Sequence, residues 1–248
     1  MHLVGSNTEK KTQDWAVIAI DGPAGAGKST VARLLAAQLN YVLIDTGALY
    51  RSLALKALDS DLSLSDEDAL SELCLNLKFR FSQLSTEDTR TTANGIVIPL
   101  LRVYCNDEEL TQQLRTQEVG MAASMVSKLP KVRDALLELQ RSFALQGGLV
   151  MEGRDIGTVI FPQADLKFYL DASVESRSRR RLKELLASGQ AKSLEDVMRE
   201  TKIRDEQDMN RKIAPLKKAP DALLIDSTQK SLEDVVSEMM QKFNQWNS

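Results

Sequence analysis

The stretch VIAIDGPAGAGKST, residues 17–30, constrains the fold of this chain more than any other. An apolar run breaks at glycines and ends in a lysine and two hydroxyls. Gly22, Gly27, Lys28 and Ser29 fit the pattern G-x-x-x-x-G-K-[ST], after a β-rich run and before a helix-periodic one, the setting this pattern requires. Glycines let the backbone close into a ring of inward N–H groups. The helix that opens near Lys28 adds its N-terminal partial charge. Such a loop holds a nucleoside triphosphate. Gly22, Pro23, Ala24, Gly25, Ala26, Gly27, Lys28, Ser29 and Thr30 would cradle it, Lys28 would reach the β- and γ-phosphates, and Ser29 would offer its hydroxyl to Mg²⁺.

Around that loop the chain alternates short apolar runs with helical patterns. WAVIAID (15–21), YVLID (41–45), LVMEG (149–153), LKFYLDA (166–172) and ALLIDS (222–227) read as strands, each followed by or close to a helical pattern. Continuous apolar strands between helices predict a five-stranded parallel sheet covered on both faces, an α/β fold of the P-loop type. Residues 28–40 place Val31, Leu34, Leu35 and Leu39 on one helical face, and the last helix opens with a capping box from Ser231 to Glu233–Asp234. The rhythm breaks at about residues 76–106. There LKFRFSQ (77–83) and GIVIPLLRVY (95–104) read as strands flanking a polar linker, LSTEDTRTTANG (84–95), with a turn at Asn94–Gly95. This is a small antiparallel insertion. Helical patterns then run over residues 107–146, interrupted at Pro130.

Composition removes several chemistries. The only histidine is His2, in a polar tail over residues 1–14 that has no apolar core of a secretory signal. Histidine general-base catalysis and His-ligated zinc are thereby disfavoured. A formal charge of −3 argues against bulk capture of nucleic acid or an anionic membrane. Cys74 and Cys105 share no metal or redox spacing and read as reduced packing residues in a cytoplasmic protein. No apolar run approaches the roughly 20 residues that a bilayer requires.

A P-loop also serves GTPases and motor ATPases. No N-K-x-D motif for guanine is present, while FYLDA, ending its acidic run at Asp171, leaves a motor-type acidic strand end open. A kinase needs a second anion site and a means of excluding water. DTGALYR places Thr46, Tyr50 and Arg51 just past the second strand, and EGRDIG puts Arg154 and Asp155 at a strand's carboxyl end, where open α/β sheets bind ligands. RDEQDMNR spaces Arg204, Asp208 and Arg211 at i, i+4 and i+7, which reads either as a phosphate-and-sugar clamp or as an exposed salt-bridge ladder. SRSRRRLKEL, within residues 173–190, reads as an arginine-bearing helical lid or as a solvated face with an Arg180–Glu184 pair.

IDGPAGAGKST, DTGALYR, RTQEV, EGRDIGTVIFP, FYLDAS and RDEQDMNRKIAPL, in this order from residue 15 to the end, resemble bacterial cytidylate kinases. The resemblance implies a nucleoside monophosphate kinase domain over 15–248, with an NMP-binding insertion at about 76–115 and a lid at about 173–190. It implies transfer of the ATP γ-phosphoryl, with Mg²⁺, to CMP or dCMP by a cytoplasmic monomer that binds neither nucleic acid nor membrane. Tyr50, Arg51, Arg154 and Arg211 would surround the acceptor phosphate, with Thr46 nearby, and Arg204 and Asp208 would hold the ribose. Ser124, Arg133 and Asp155 would read the cytosine, and lid arginines among Arg177, Arg179, Arg180 and Arg181 would close over the triphosphate. Lys28, Arg154, Asp155, Arg177, Arg181 and Arg211 would then be the catalytic set. The alternatives are a kinase for UMP, another nucleoside monophosphate or shikimate, and an ATP-binding regulator without transfer. The insertion reads as longer than in compact members of the family.

Overall fold

A computed structural model describes residues 15–248 apart from residues 86, 92–94 and 188. The tail with His2 and the Asn94 half of the expected turn lie outside the described residues. In chain order the elements are β1 (Val17–Asp21), α1 (Lys28–Leu39), β2 (Val42–Asp45), α2 (Thr46–Asp59) and α3 (Glu67–Leu75). Then come the short strands β3 (Phe79–Phe81), β4 (Thr89–Thr91), β5 (Val97–Pro99), β6 (Val103–Cys105) and β7 (Glu108–Glu109). After them lie α4 (Gln117–Val126), α5 (Pro130–Ser142), β8 (Leu149–Gly153), β9 (Leu166–Asp171), α6 (Val174–Ala187), α7 (Leu194–Met209), β10 (Leu223–Asp226) and α8 (Leu232–Trp246).

The five long strands form one parallel sheet in the order β10-β9-β1-β8-β2. This is the expected architecture, and its cause is the apolar content of the strands: β8 is buried at all five positions and β1 at four. Strand β1 lies at the centre of the sheet, so its loop emerges between the carboxyl ends of β8 and β9. The register sets Ile20 beside Glu152 and Asp21 beside both Gly153 and Tyr169. One apolar layer joins α1 and α8 to the sheet through Val31, Leu35, Val235 and Met239, and another gathers Ile44, Leu49, Phe143, Met151 and Ile156. A third cluster, with Leu53, Leu70, Val103, Val126 and Leu136, ties the short strands and α3–α5 to α2. Cys74 and Cys105 are free thiols buried in that cluster.

Three local expectations change. The polar linker carries a strand of its own: β4 pairs with β5, and the long run after Gly95 divides into β5 and β6, with β6 pairing β3. Arg102 sits in the break, ion-paired to Asp88 and Glu109, while its backbone exchanges hydrogen bonds with Ser82. The run at 204–211 is not one continuous helical face, because α7 ends at Met209, Asn210 caps it and Arg211 follows outside the helix. In α6 it is Arg181, three residues before Glu184, that pairs with it, rather than Arg180. Pro130 begins α5 at a position where its missing N–H is not needed. The capping box of α8 is present, with Ser231 and Asp234 bonding reciprocally.

Candidate active site

The loop between β1 and α1 is built where only glycine fits. A Cβ on Gly22 would come within 2.0 Å of the Leu170 carbonyl oxygen, and Gly27 takes φ 97° as it caps α1. Lys28 follows, buried, and its ammonium donates to the Pro23 carbonyl at 2.8 Å across the ring of the loop. Burial and the nearby Arg154 pull the Lys28 ammonium well below the usual lysine range, against the attraction of Glu152, Asp21 and Asp208.

Three carboxylates that motif reading left without a role stand at the strand ends here, Asp21 and Glu152 beside the lysine and Asp45 beside Glu152. Asp21 is buried and accepts from the backbone N–H groups of Ile156 and Gly157, each at 2.8 Å. Desolvation raises its pKa to about 6 despite those bonds. Glu152, at the end of β8, is raised by burial and by Asp45, with Lys28, Ser29 and Arg33 countering, and its Oε1 has no hydrogen-bond partner. Asp45 caps α2 by accepting from the Ala48 N–H at 3.1 Å and pairs with Arg51 at 2.9 Å. Each lies within a quoted motif, immediately before Gly22, Gly153 and Thr46, and was given no role there. Asp171, the carboxylate weighed for a motor-type strand end, is on β9 opposite Asp226 and accepts from the Ala172 N–H, while the strand end next to Lys28 carries Glu152.

Helix α6 approaches the loop from behind. Arg177 donates to Ala172 and Ala24 carbonyls at 2.8 and 3.1 Å and forms a two-pronged ion pair with Asp205 of α7. Arg180 donates to the Ala26 carbonyl at 3.3 Å and the Ser227 carbonyl at 2.6 Å. These two brace the phosphate loop from its rear. Arg179 and Arg181 sit on the exposed face, paired with Glu175 and Glu184.

On the acceptor side, the Thr46 hydroxyl donates to the Glu152 carbonyl at 2.8 Å, tying the start of α2 to β8. Arg154 pairs with Asp208 at 2.8 Å, so the aspartate turns to the strand end and does not ladder with its own helix. Asp155 pairs with Arg133 in a buried bridge, and Arg133 also donates to the Ser127 carbonyl at 3.2 Å. Burial pushes Asp155 above the usual carboxylate range even with Arg133, Arg211 and Arg154 close by. Arg211 keeps Nε and Nη2 buried without partners, and the Tyr50 hydroxyl is likewise buried and unpaired, its pKa raised by burial to about 12. The Arg133 guanidinium stands 5.8 Å from the Tyr50 ring centre. Arg204 lies beside Arg154 and Asp208, and desolvation followed by Arg154 lowers its pKa. Ser124 is half-buried on α4 and is not hydrogen-bonded to the Arg133–Asp155 pair.

The fold thus gathers two clusters of basic side chains at the carboxyl edge of the sheet, one around Lys28 and one of Arg154, Arg211 and Arg133 about Asp155. Residues 18–245 match the family model for cytidylate kinase. A cytidylate kinase of Geobacter sp. (strain M21) is 44% identical over 230 residues, 93% of either chain. That of Geobacter sulfurreducens is 46% identical over 223 residues, 90% of either chain. That of Vibrio cholerae is 45% identical over 225 residues, 91% of this chain and 94% of the relative.

Proposed function

The chain belongs to the cytidylate kinase family, and from that premise we infer how its two clusters divide the transfer of a phosphoryl group from ATP to CMP or dCMP. Residues Gly22 to Thr30 hold the ATP phosphates, with Lys28 released from the Pro23 carbonyl to meet the β- and γ-oxygens. Mg²⁺ favours hard oxygen donors and commonly binds one or two carboxylates together with substrate phosphates. The Ser29 hydroxyl and the unpartnered Oε1 of Glu152, with Asp45 nearby, make such a donor set. When bound, the ion neutralises charge on the bridging phosphate oxygens.

Arg154, Arg211, Arg51 and the Tyr50 hydroxyl receive the acceptor phosphate, and Arg204 and Asp208 take the sugar. Asp155, Arg133 and Ser124 face the base. Phosphoryl transfer through a loose transition state demands positioning and positive charge more than proton chemistry, and this site supplies both without a histidine. Arg177 and Arg180 keep the loop in shape, whereas Arg179 and Arg181 are the lid arginines free to exchange surface partners for the triphosphate.

The observation that carries this reading is Arg211, whose buried guanidinium lacks partners on two nitrogens beside the paired Arg154 and Asp155. A buried cation in that condition calls for an anion. Two free buried thiols and the absence, among the described residues, of any helix long and apolar enough to cross a membrane are in keeping with work on free cytoplasmic nucleotides in pyrimidine metabolism. Coupled ADP release with ATP–Mg²⁺ against CMP, dCMP, UMP, AMP, GMP and shikimate tests the reading. CMP and dCMP should lead the panel; turnover led by any other acceptor would refute it.

A further inference from the structure

Asp21 ends the central strand β1, immediately before the phosphate loop, and no step of the transfer inferred for this site uses it. The register sets its backbone beside Gly153 of β8, one residue before Arg154. From there its buried side chain reaches the segment that follows β8. One carboxylate oxygen accepts from the Ile156 N–H and the other from the Gly157 N–H, each at 2.8 Å. Those two groups open a one-turn π-helix, Ile156–Ile160, which directly follows Asp155.

The bond to Ile156 bears on Asp155 directly. The peptide joining the two residues is held at both of its polar atoms. Its N–H donates to Asp21, and its carbonyl oxygen accepts from the Val159 N–H at 2.9 Å and the Ile160 N–H at 3.2 Å. A peptide is planar, so fixing both atoms fixes where the Asp155 Cα stands. The other end of the segment is equally tight. A Cβ on Gly153 would come within 2.7 Å of Thr46 Oγ1 and of Ile156 Cδ1. Between these two anchors stand Arg154, paired with Asp208, and Asp155, buried against Arg133. Two convergent N–H groups call for acceptors on two atoms, which an ionised carboxylate has and an amide lacks. Burial works against that charge, while the two N–H bonds and Lys28 favour it.

We propose that Asp21 is a positioning residue for the acceptor: by holding the Asp155–Ile156 peptide it keeps Asp155 aimed at the base. The proposal rests on the reading of Asp155 as a group that faces the base. Under it, one carboxylate joins the phosphate loop to the segment that selects the acceptor, and a displacement of about 1 Å in that segment is enough to cost activity.

The test is a double-mutant cycle read in acceptor choice, which a residue that serves folding alone would not move. Steady-state ADP release with CMP and with UMP would be measured for the parent, Asp21→Asn, Gly157→Ala, Asp155→Ala and the double Asp21→Asn/Asp155→Ala variant. Asparagine keeps the shape and loses one acceptor. Asp21→Asn should lower the CMP/UMP ratio of kcat/KM at least about tenfold, chiefly through the KM for CMP, with the KM for ATP within about threefold of the parent. Gly157→Ala keeps the charge and adds a methyl 3.4 Å from Asp21 Oδ2 and 3.1 Å from Lys167 Cδ, crowding the same hydrogen bonds, so it should shift the ratio in the same direction. Once Asp155 is alanine, Asp21→Asn should change the ratio by less than about twofold. A folded Asp21→Asn protein with the parent's ratio overturns the proposal; should that variant not fold, a parent-like ratio in Gly157→Ala does the same. Additive losses in the double variant also overturn it, because Asp21 then acts apart from Asp155. If Asp155→Ala alone keeps the ratio, the base-facing reading fails, and with it the aim that Asp21 would set.

Discussion

Asp155 is a carboxylate buried against Arg133, held above its ordinary range by desolvation. Cytosine presents an N4 amine donor where uracil presents an acceptor, and an ionised carboxylate can only accept. Asp155→Ala should therefore cost CMP far more than UMP and collapse the CMP/UMP ratio of kcat/KM. Should Asp155 serve only to hold Arg133, both substrates fall alike and the ratio survives. Asp21 makes a different kind of prediction. Its folded pKa of about 6 lies above the ordinary 3.8, so its contribution to stability is fully present below pH 3.8 and is lost as pH rises through 6. At about 1.4 kcal/mol per pH unit, the parent should lose roughly 2–3 kcal/mol relative to Asp21→Asn between pH 4 and pH 7. Urea unfolding of both proteins across that range measures it; parallel stability curves would show that the carboxylate ionises in the fold as readily as outside it. Lys28 and Ser29 were legible because their chemistry lies in one-dimensional spacing. Asp21, Asp45 and Glu152 were not, because strand register and burial, not spacing, bring them to neighbouring strand ends next to the phosphate loop.

A buried ion pair joins α6 to α7, and α6 meets the phosphate loop through hydrogen bonds from Arg177 and Arg180. Arg177 spends its donors on Asp205 and on the Ala172 and Ala24 carbonyls, so the hairpin of α6 and α7 and the loop are mechanically one piece. Removing one partner of a buried pair leaves an unpaired charge, at a cost of about 3–5 kcal/mol. Asp205→Ala should show that loss in thermal unfolding together with a raised KM for ATP. Replacing the pair together, Arg177→Met with Asp205→Leu, should restore most of the stability and leave the KM for ATP raised, since the bond to Ala24 is gone. A double variant with a normal KM for ATP would mean the brace contributes to folding alone. At this scale the core strands were readable because their runs are continuously apolar, most completely in the buried β1 and β8. Strand β4, Thr-Arg-Thr with an exposed centre, carries no such mark, since its pairing with β5 comes from the backbone. The end of α7 was hidden for a similar reason: RDEQDMNRK keeps helical spacing past Asn210, and only the tertiary bond from the Leu216 N–H to the Asp208 carbonyl draws the chain away.

Across the whole molecule, the two substrates rest on different bodies of structure. The ATP side uses the loop after β1, with α6 and α7 behind it. The acceptor side joins β8 and the end of α7 to α4 and α5, whose apolar cluster is shared with α2 and separate from the layers that cover the sheet. Within the acceptor side, Arg133 of α5 and Asp155 after β8 bridge the helices α4 and α5 to the sheet by a buried ion pair. CMP, held by residues from both, should tighten the bridge, whereas ATP alone touches only one side of it. Hydrogen exchange can follow α4 and α5 directly. A ligand that binds only the folded, closed form stabilises it by about 2.7 kcal/mol at a hundred times its Kd, enough to slow exchange by roughly a hundredfold where opening of the bridge is what exposes the amides. Saturating CMP should therefore protect residues 117–142, and saturating ATP–Mg²⁺ should protect the loop and α1 while leaving that region nearly unchanged. Arg133→Ala should remove the CMP effect on α4 and α5 more than the ATP effect on α1. Equal protection of α4 and α5 by either nucleotide would show that the molecule closes as a single unit, and that the division between its two halves has no part in binding.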